Sequence, residues 1–318
     1  MPLRPPRLGG LLAWHPQPIP VLPVLCLVLW LAYTTGVLRL LHRGHRWPVG
    51  RLVSWTVGLL TVVAVTGTAV NGYGMRMFSV HMVQHMVLSM LSPLLLLMGA
   101  PVTLCLRALP ARGVGGRVRR RLVRILHSRA LRVLTAPMLT LPLFIASLYG
   151  LYFTPLFDAA MRTWWGHDWM LLHFVAVGLL LFWPIMAIDP SPRTTSPVLR
   201  MLELFLAMPF HAFFGVVVMT STTLLVRSFA RSPSGWSTSP LSDQRLGGGI
   251  AWAFSEIPTL LVVAAVFAQW SRSSDREARR GDRAAARDGD QALREYNAWL
   301  ANLSRPDPSR PANPGGRG

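Results

Sequence analysis

Apolar residues fill this chain in blocks about as long as a bilayer is thick, and polar residues fall mostly between them. A helix needs about 20 mostly apolar residues to cross a membrane. Seven stretches qualify: 19–41, 52–70, 77–98, 133–153, 167–187, 198–226 and 248–270. The pattern predicts an all-α fold, a polytopic membrane helix bundle with seven transmembrane helices over residues 19–271. Residues 1–18 read as an extracytoplasmic segment and 272–318 as a charged, largely disordered cytoplasmic tail that opens with a short surface helix. The sixth stretch is long and contains Pro209, which predicts a kink or an extension beyond the bilayer. Arg4 and Arg7 precede the first stretch as they would in a signal peptide. That run is too long for one and no small-residue cleavage site follows it, so it reads as a helix. No internal repeat is visible, and an inverted-repeat transporter is not suggested.

Composition agrees with the pattern. The chain is 52% hydrophobic and 14% charged, against about 25% charged in a soluble domain. Its net charge is +19, and every basic residue is Arg. The absence of Lys excludes a retinal-type Schiff base. Numbering the loops alternately places 25 of the 32 Arg on one side and 7 on the other. Positive charge marks the cytoplasmic side, so the N-terminus is expected outside and the C-terminus in the cytoplasm. The richest loop, GGRVRRRLVRILHSR (115–129), reads as a basic amphipathic helix on an anionic inner leaflet. The Arg clusters flank apolar spans, so lipid is the expected partner and nucleic acid is not. Cys26 and Cys105 form no CxxC and are expected near opposite faces, so they read as unpaired apolar residues.

Ionisable residues within apolar spans are costly and mark candidate functional positions. They are His81, His85, His167, Asp168, His173, Glu203, His211 and Glu256. With about 1.5 Å of rise per residue, His81, His85, His173 and Glu256 fall about 6 to 12 Å below the outer helix ends. His167 and Asp168 are expected at the mouth of their span, His211 near mid-bundle and Glu203 on the cytoplasmic half. His81 and His85 are four apart in FSVHMVQHMVLSMLSPLLLLMGAP (78–101), so they share a helix face and can ligate one ion. Met77 shares that stripe, and thioether sulfur with imidazole suits Cu(I). The spacing differs from the zinc-protease HExxH because Met82 stands where the general base would be. Blander roles compete: hydrogen bonding between helices for the His residues, packing for Met, a helix cap for Asp168 and structural pairing for Glu256.

Three stretches, FSVHMVQHMVLSMLSPLLLLMGAP, HDWMLLHFVAVGLLLFWPIMAIDP (167–190) and MPFHAFFGVVVM (208–219), occur in an order that resembles the integral-membrane cytochrome c oxidase assembly factors of the caa3 (CtaG) type. The resemblance covers residues 20–270. It implies a non-enzymatic bacterial plasma-membrane protein that serves a haem–copper oxidase subunit at the copper-insertion stage. On matching positions it implies His81, His85, His173 and His211 as copper-handling residues. His167, Asp168, Glu256 and Met77 join the candidate metal ligands by depth and chemistry alone. Two other readings fit the same residues: a haem-binding electron-transfer protein with axial histidines, and a copper transporter.

Overall fold

The computed structural model describes residue 13 and residues 20–192, 195–231, 238–287 and 291–303. The described chain is all-helical. In order the helices are α1 (Val21–His42), α2 (Val49–Thr66), α3 (Ala69–Gly74), α4 (Phe78–Met86), a π-helical turn (Val87–Leu91), α5 (Ser92–Met98) and α6 (Pro101–Ala108). Then follow α7 (Gly113–Leu126), α8 (Arg129–Leu134), α9 (Pro137–Tyr152), α10 (Leu156–Met161), α11 (Trp164–Met186) and α12 (Pro197–Thr220). A 3-10 turn (Arg227–Phe229), α13 (Pro240–Arg287) and α14 (Gln291–Leu303) complete the order.

Among the described residues, six helical segments are long and apolar enough to cross a membrane: α1, α2, Phe78–Ala108, α11, α12 and Pro240–Ser271. The chain is therefore a multi-pass membrane protein. The expected fourth span, 133–153, is shorter than its hydropathy suggests. Val133 and Leu134 close α8, extended Ala136 breaks the chain, and Pro137 starts a 16-residue α9. At 1.5 Å per residue α9 covers about 24 Å. The expected sixth span stops at Thr220, and Gln244 holds the loop beyond it through Leu225 N–H (2.8 Å) and the Thr223 carbonyl (3.0 Å).

Phe78–Ala108 is the centre of the bundle: 67% of its apolar window is buried, against 22% for α1. α2 packs along it, and α11 packs on its π turn and α5. Pro93 explains the π turn. Its ring would press on the carbonyl four residues back, that of Ser89, and widening the helix over Val87–Leu91 relieves the clash. Gly178 of α11 lies against that carbonyl so closely that a Cβ would overlap it.

Asp189 holds the far end of this segment. Its carboxylate accepts from Val102 N–H and Thr103 N–H (both 2.9 Å) and from the Thr103 hydroxyl (2.6 Å). Among the described residues, the two non-glycine residues with positive φ, Ala100 (51°) and Ala187 (47°), flank this contact. Each occupies a left-handed conformation that costs about 1–2 kcal/mol for an L-residue. The cap on α6 and the burial around it hold them there.

In the second compact unit, Phe267–Gly318, residues 272–287 and 291–303 are helical where a largely disordered tail was expected. Their Ala, Arg, Glu and Leu content favours helix despite the charge. Residues 304–318 and, apart from Ala13, 1–19 lie outside the described residues. Cys26 and Cys105 are both free thiols.

Gly178→Ala is expected to lower stability by about 1–3 kcal/mol, because rigid backbone meets the new methyl. Gly150→Ala meets nothing within 4 Å and is expected to be neutral or stabilising by up to about 1 kcal/mol. Thermal unfolding of both variants in detergent checks the contrast.

Candidate functional site

α4 carries HMVQH, and its first turn is fixed from 165 residues away. The Asp243 carboxylate, at the start of α13, accepts from Phe78 N–H (2.6 Å), Ser79 N–H (3.4 Å) and the Ser79 hydroxyl. It satisfies helix donors that have no intrahelical partner and meets the positive end of the helix dipole. This contact also sets α4 and α13 starting at the same end of the bundle. A second tie comes from Gln84, which donates to the Val65 carbonyl (2.7 Å) and to Asn71 Oδ1 (3.0 Å).

So held, His81 and His85 are 0% and 3% exposed. Tyr152, at the end of α9, hydrogen-bonds through its hydroxyl with His81 Nε2 at 2.9 Å. Its ring packs on both imidazoles, with centroids 5.9 Å from His81 and 5.6 Å from His85. Phe174 of α11 sets its ring edge-on to His85 at 4.2 Å and to His81 at 6.0 Å.

Each imidazole of the pair has a histidine neighbour on another helix. His81 faces His167 of α11 with ring centroids 6.4 Å apart, and His85 faces His211 of α12 at 6.1 Å. The i,i+4 spacing therefore serves two interhelical pairs. His167 is buried, which admits it to the cluster although spacing and depth had put it at the mouth of its span. His173 is exposed and bonds Ser147 Oγ through Nε2 at 2.5 Å, so it belongs to neither pair. Asp168 does not cap α11. The helix begins earlier, at Trp164, and Thr163 caps it by accepting from Gly166 N–H. Glu256 is exposed and, with His211, Met90 and Ser255, lines a narrow cleft beside the cluster. Met77 is the residue before α4, at the edge of the buried core.

Among the described residues, six buried imidazole nitrogens have no hydrogen-bond partner: His81 Nδ1, both nitrogens of His85, His167 Nε2 and both of His211. A buried polar atom left unpaired costs about 1–3 kcal/mol, so their concentration in one place is unusual for packing alone. Among the described residues, no three His, Cys, Asp or Glu side chains stand close enough to hold one metal ion together. The donors come as pairs.

Above His81, at the end where α4 begins, two more rings close the cluster. Phe157 of α10 lies 4.8 Å from His81 and Phe229 of the 3-10 turn 6.0 Å, with 5.5 Å between the two phenyl rings. Both are buried. Tyr152, Phe157, Phe174, Phe229 and Asp243 were not singled out in the sequence. Aromatic residues abound in such a chain, and Asp243 lies in a loop-like polar stretch.

The sequence profile of the family described as cytochrome c oxidase caa3 assembly factor (Caa3_CtaG) matches residues 31–273. Among curated proteins, this chain is 46% identical over 282 residues to uncharacterized protein Mb0105 of Mycobacterium bovis and to uncharacterized protein MT0111 of Mycobacterium tuberculosis. It is 44% identical over 283 residues to uncharacterized protein ML1998 of Mycobacterium leprae. These alignments cover 87–88% of this chain but 43% of each relative, so the chain spans less than half the length of the curated relatives it matches. No solved structure matches.

Asp243→Ala is expected to cost about 1–3 kcal/mol, because it strands two helix amides and a hydroxyl in a buried place. Hydrogen exchange read by mass spectrometry should show faster exchange over the start of α4, while the start of α6, capped by Asp189, keeps its protection.

Proposed function

The chain belongs to the cytochrome c oxidase caa3 assembly factor family, and from that premise we propose that it delivers copper, as Cu(I), to a haem–copper oxidase subunit. The observation that carries the copper reading is the set of buried, unpartnered imidazole nitrogens on His81, His85, His167 and His211. Neutral imidazole is a good donor to copper in either redox state. Cu(I) is content with two donors, so pairs suffice where a zinc site would want four. A metal–nitrogen bond of about 2.0 Å on each side puts the centres of two bridged imidazole rings about 6 Å apart. The spacings of 6.4 Å and 6.1 Å in the two pairs suit that arrangement.

The copper is cargo, and it moves by exchanging ligands. Two stations of low coordination, one at His81 and His167 and one at His85 and His211, let an ion step along α4 without full release. Tyr152 orients His81 by occupying Nε2 and leaves Nδ1 for the metal. Phe174 and Tyr152 pack on both imidazoles, and aromatic rings in that position favour a single ion over a porphyrin plane. His173, Asp168, Glu256 and Met77 are auxiliary positions on this reading. Glu203 is engaged by the Thr140 hydroxyl at 2.7 Å, which favours delivery at one face over transport through the bilayer.

The reading includes a topology: seven crossings of the bacterial plasma membrane, with α9 as a short fourth. The Arg bias places the N-terminus outside and the C-terminal segment in the cytoplasm. It puts the His81 end of the bundle at the outer face and sets the basic face of α7 against anionic lipid.

Purified full-length protein is expected to bind Cu(I) stoichiometrically. The double variant His81→Ala/His85→Ala should abolish binding, and His167→Ala should weaken it more than His173→Ala does. Competition with a Cu(I) chromophoric chelator measures all three. Retained binding in the double variant, with normal copper content in the oxidase it serves, sinks the proposal.

A further inference from the structure

Next in sequence to Phe157 and Phe229, residues Asp158 and Ser228 line a polar cavity of about 640 Å³. Its lining includes Thr154, Asp158, Arg162, Leu225, Arg227 and Ser228. The Asp158 carboxylate is already engaged. It accepts from Arg227 N–H (3.3 Å), Ser228 N–H (2.8 Å) and the Ser228 hydroxyl (2.6 Å). Burial pushes its carboxyl up, but the Ser228 hydroxyl, the two amides and the Arg227 charge outweigh this and hold it below the usual carboxylate range. Because the folded value is the lower one, the contact is present at neutral pH and is lost only as pH falls through that lowered value.

This contact ties the 3-10 turn to α10. Phe157 is the neighbour of Asp158, and Phe229 the neighbour of Ser228. One carboxylate therefore holds both rings together over His81. Arg162 and Arg227, both exposed, line the cavity together with that single carboxylate, so its net charge is positive. A positive mouth repels a bare metal cation and attracts an acidic surface.

We propose that this cavity is the docking port of the histidine cluster, that it receives an acidic segment of a protein partner, and that Phe157 and Phe229 form the lid between that segment and His81. The port rests on the copper reading above. The ion arrives or leaves held by the partner's own donors, exchanges them for imidazole beneath the lid and keeps its oxidation state.

Two measurements on the full-length protein in detergent test the port. The first is modification of histidines by diethyl pyrocarbonate, read by peptide mass spectrometry. His81 should react slowly in the unaltered protein and at least about tenfold faster in Asp158→Ala, as loss of a cap releases the lid locally. His211, which lies deeper, should not follow. Phe157→Ala opens the lid with the Asp158 contact intact and should also expose His81. If His81 stays protected in both variants, or His211 gains as much, the lid is wrong. The second is Cu(I) loading from its anionic bicinchoninate complex, which stands in for the acidic partner. The double variant Arg162→Gln/Arg227→Gln should load on the order of tenfold more slowly at low salt and lose the salt dependence. An unchanged rate and salt slope overturn the electrostatic role. Protein that takes up no Cu(I) at all refutes the copper reading, and the His81 labelling then still decides whether the lid guards the cluster.

Discussion

A carboxylate that accepts from two successive backbone amides and the hydroxyl of the second residue is the contact on which this structure turns. Asp243 makes it to Phe78 and Ser79, Asp189 to Val102 and Thr103, and Asp158 to Arg227 and Ser228. In each case a distant carboxylate ends a helix that has no local cap. Asp243 and Asp189 are buried, and in a low-dielectric interior such charge-assisted bonds are stronger than in water. They position segments that apolar packing, which is non-directional, leaves free to slide. The first two hold both ends of Phe78–Ala108, the most buried element of the bundle. The third closes the aromatic lid over His81.

Between those ends the protein tolerates costly features. Two alanines sit in left-handed conformations, a π turn interrupts the central helix, and six imidazole nitrogens are buried without partners. π turns are frequent at functional sites, and this one begins two residues after His85. The π turn and the unpaired nitrogens fall around one cluster, whereas the two strained alanines lie at the opposite end of Phe78–Ala108, beside the Asp189 contact.

The family match covers the membrane domain, while the curated relatives are more than twice the aligned length. The shared unit is thus the membrane bundle. The proposed partner-facing chemistry lies at the end where α4, α11 and α13 begin. There the aromatic lid, the polar cavity and the Asp243 contact meet within a few residues of His81.

Hydropathy in the sequence determined that the chain is a membrane bundle. Period and depth alone singled out His81, His85 and His211 as buried polar positions. The order of motifs sufficed for the family. What the linear pattern did not carry is pairing. His81 and His85 share a stripe, yet their ring neighbours are His167 and His211, because two helices approach α4 at different heights. His173 had as good a sequence argument as His167, but helix rotation gives it Ser147 as partner and keeps it at the edge. Asp168 looked like a cap because GHD resembles a helix start, whereas α11 begins three residues earlier, at Trp164. The roles of Asp243, Asp189 and Asp158 depend on backbone amides 165, 87 and 70 residues away. Local composition decides which residues enter the membrane. Only the packed helices decide which of them face one another, since rotation about a helix axis and contacts across long sequence separations leave no period in the chain.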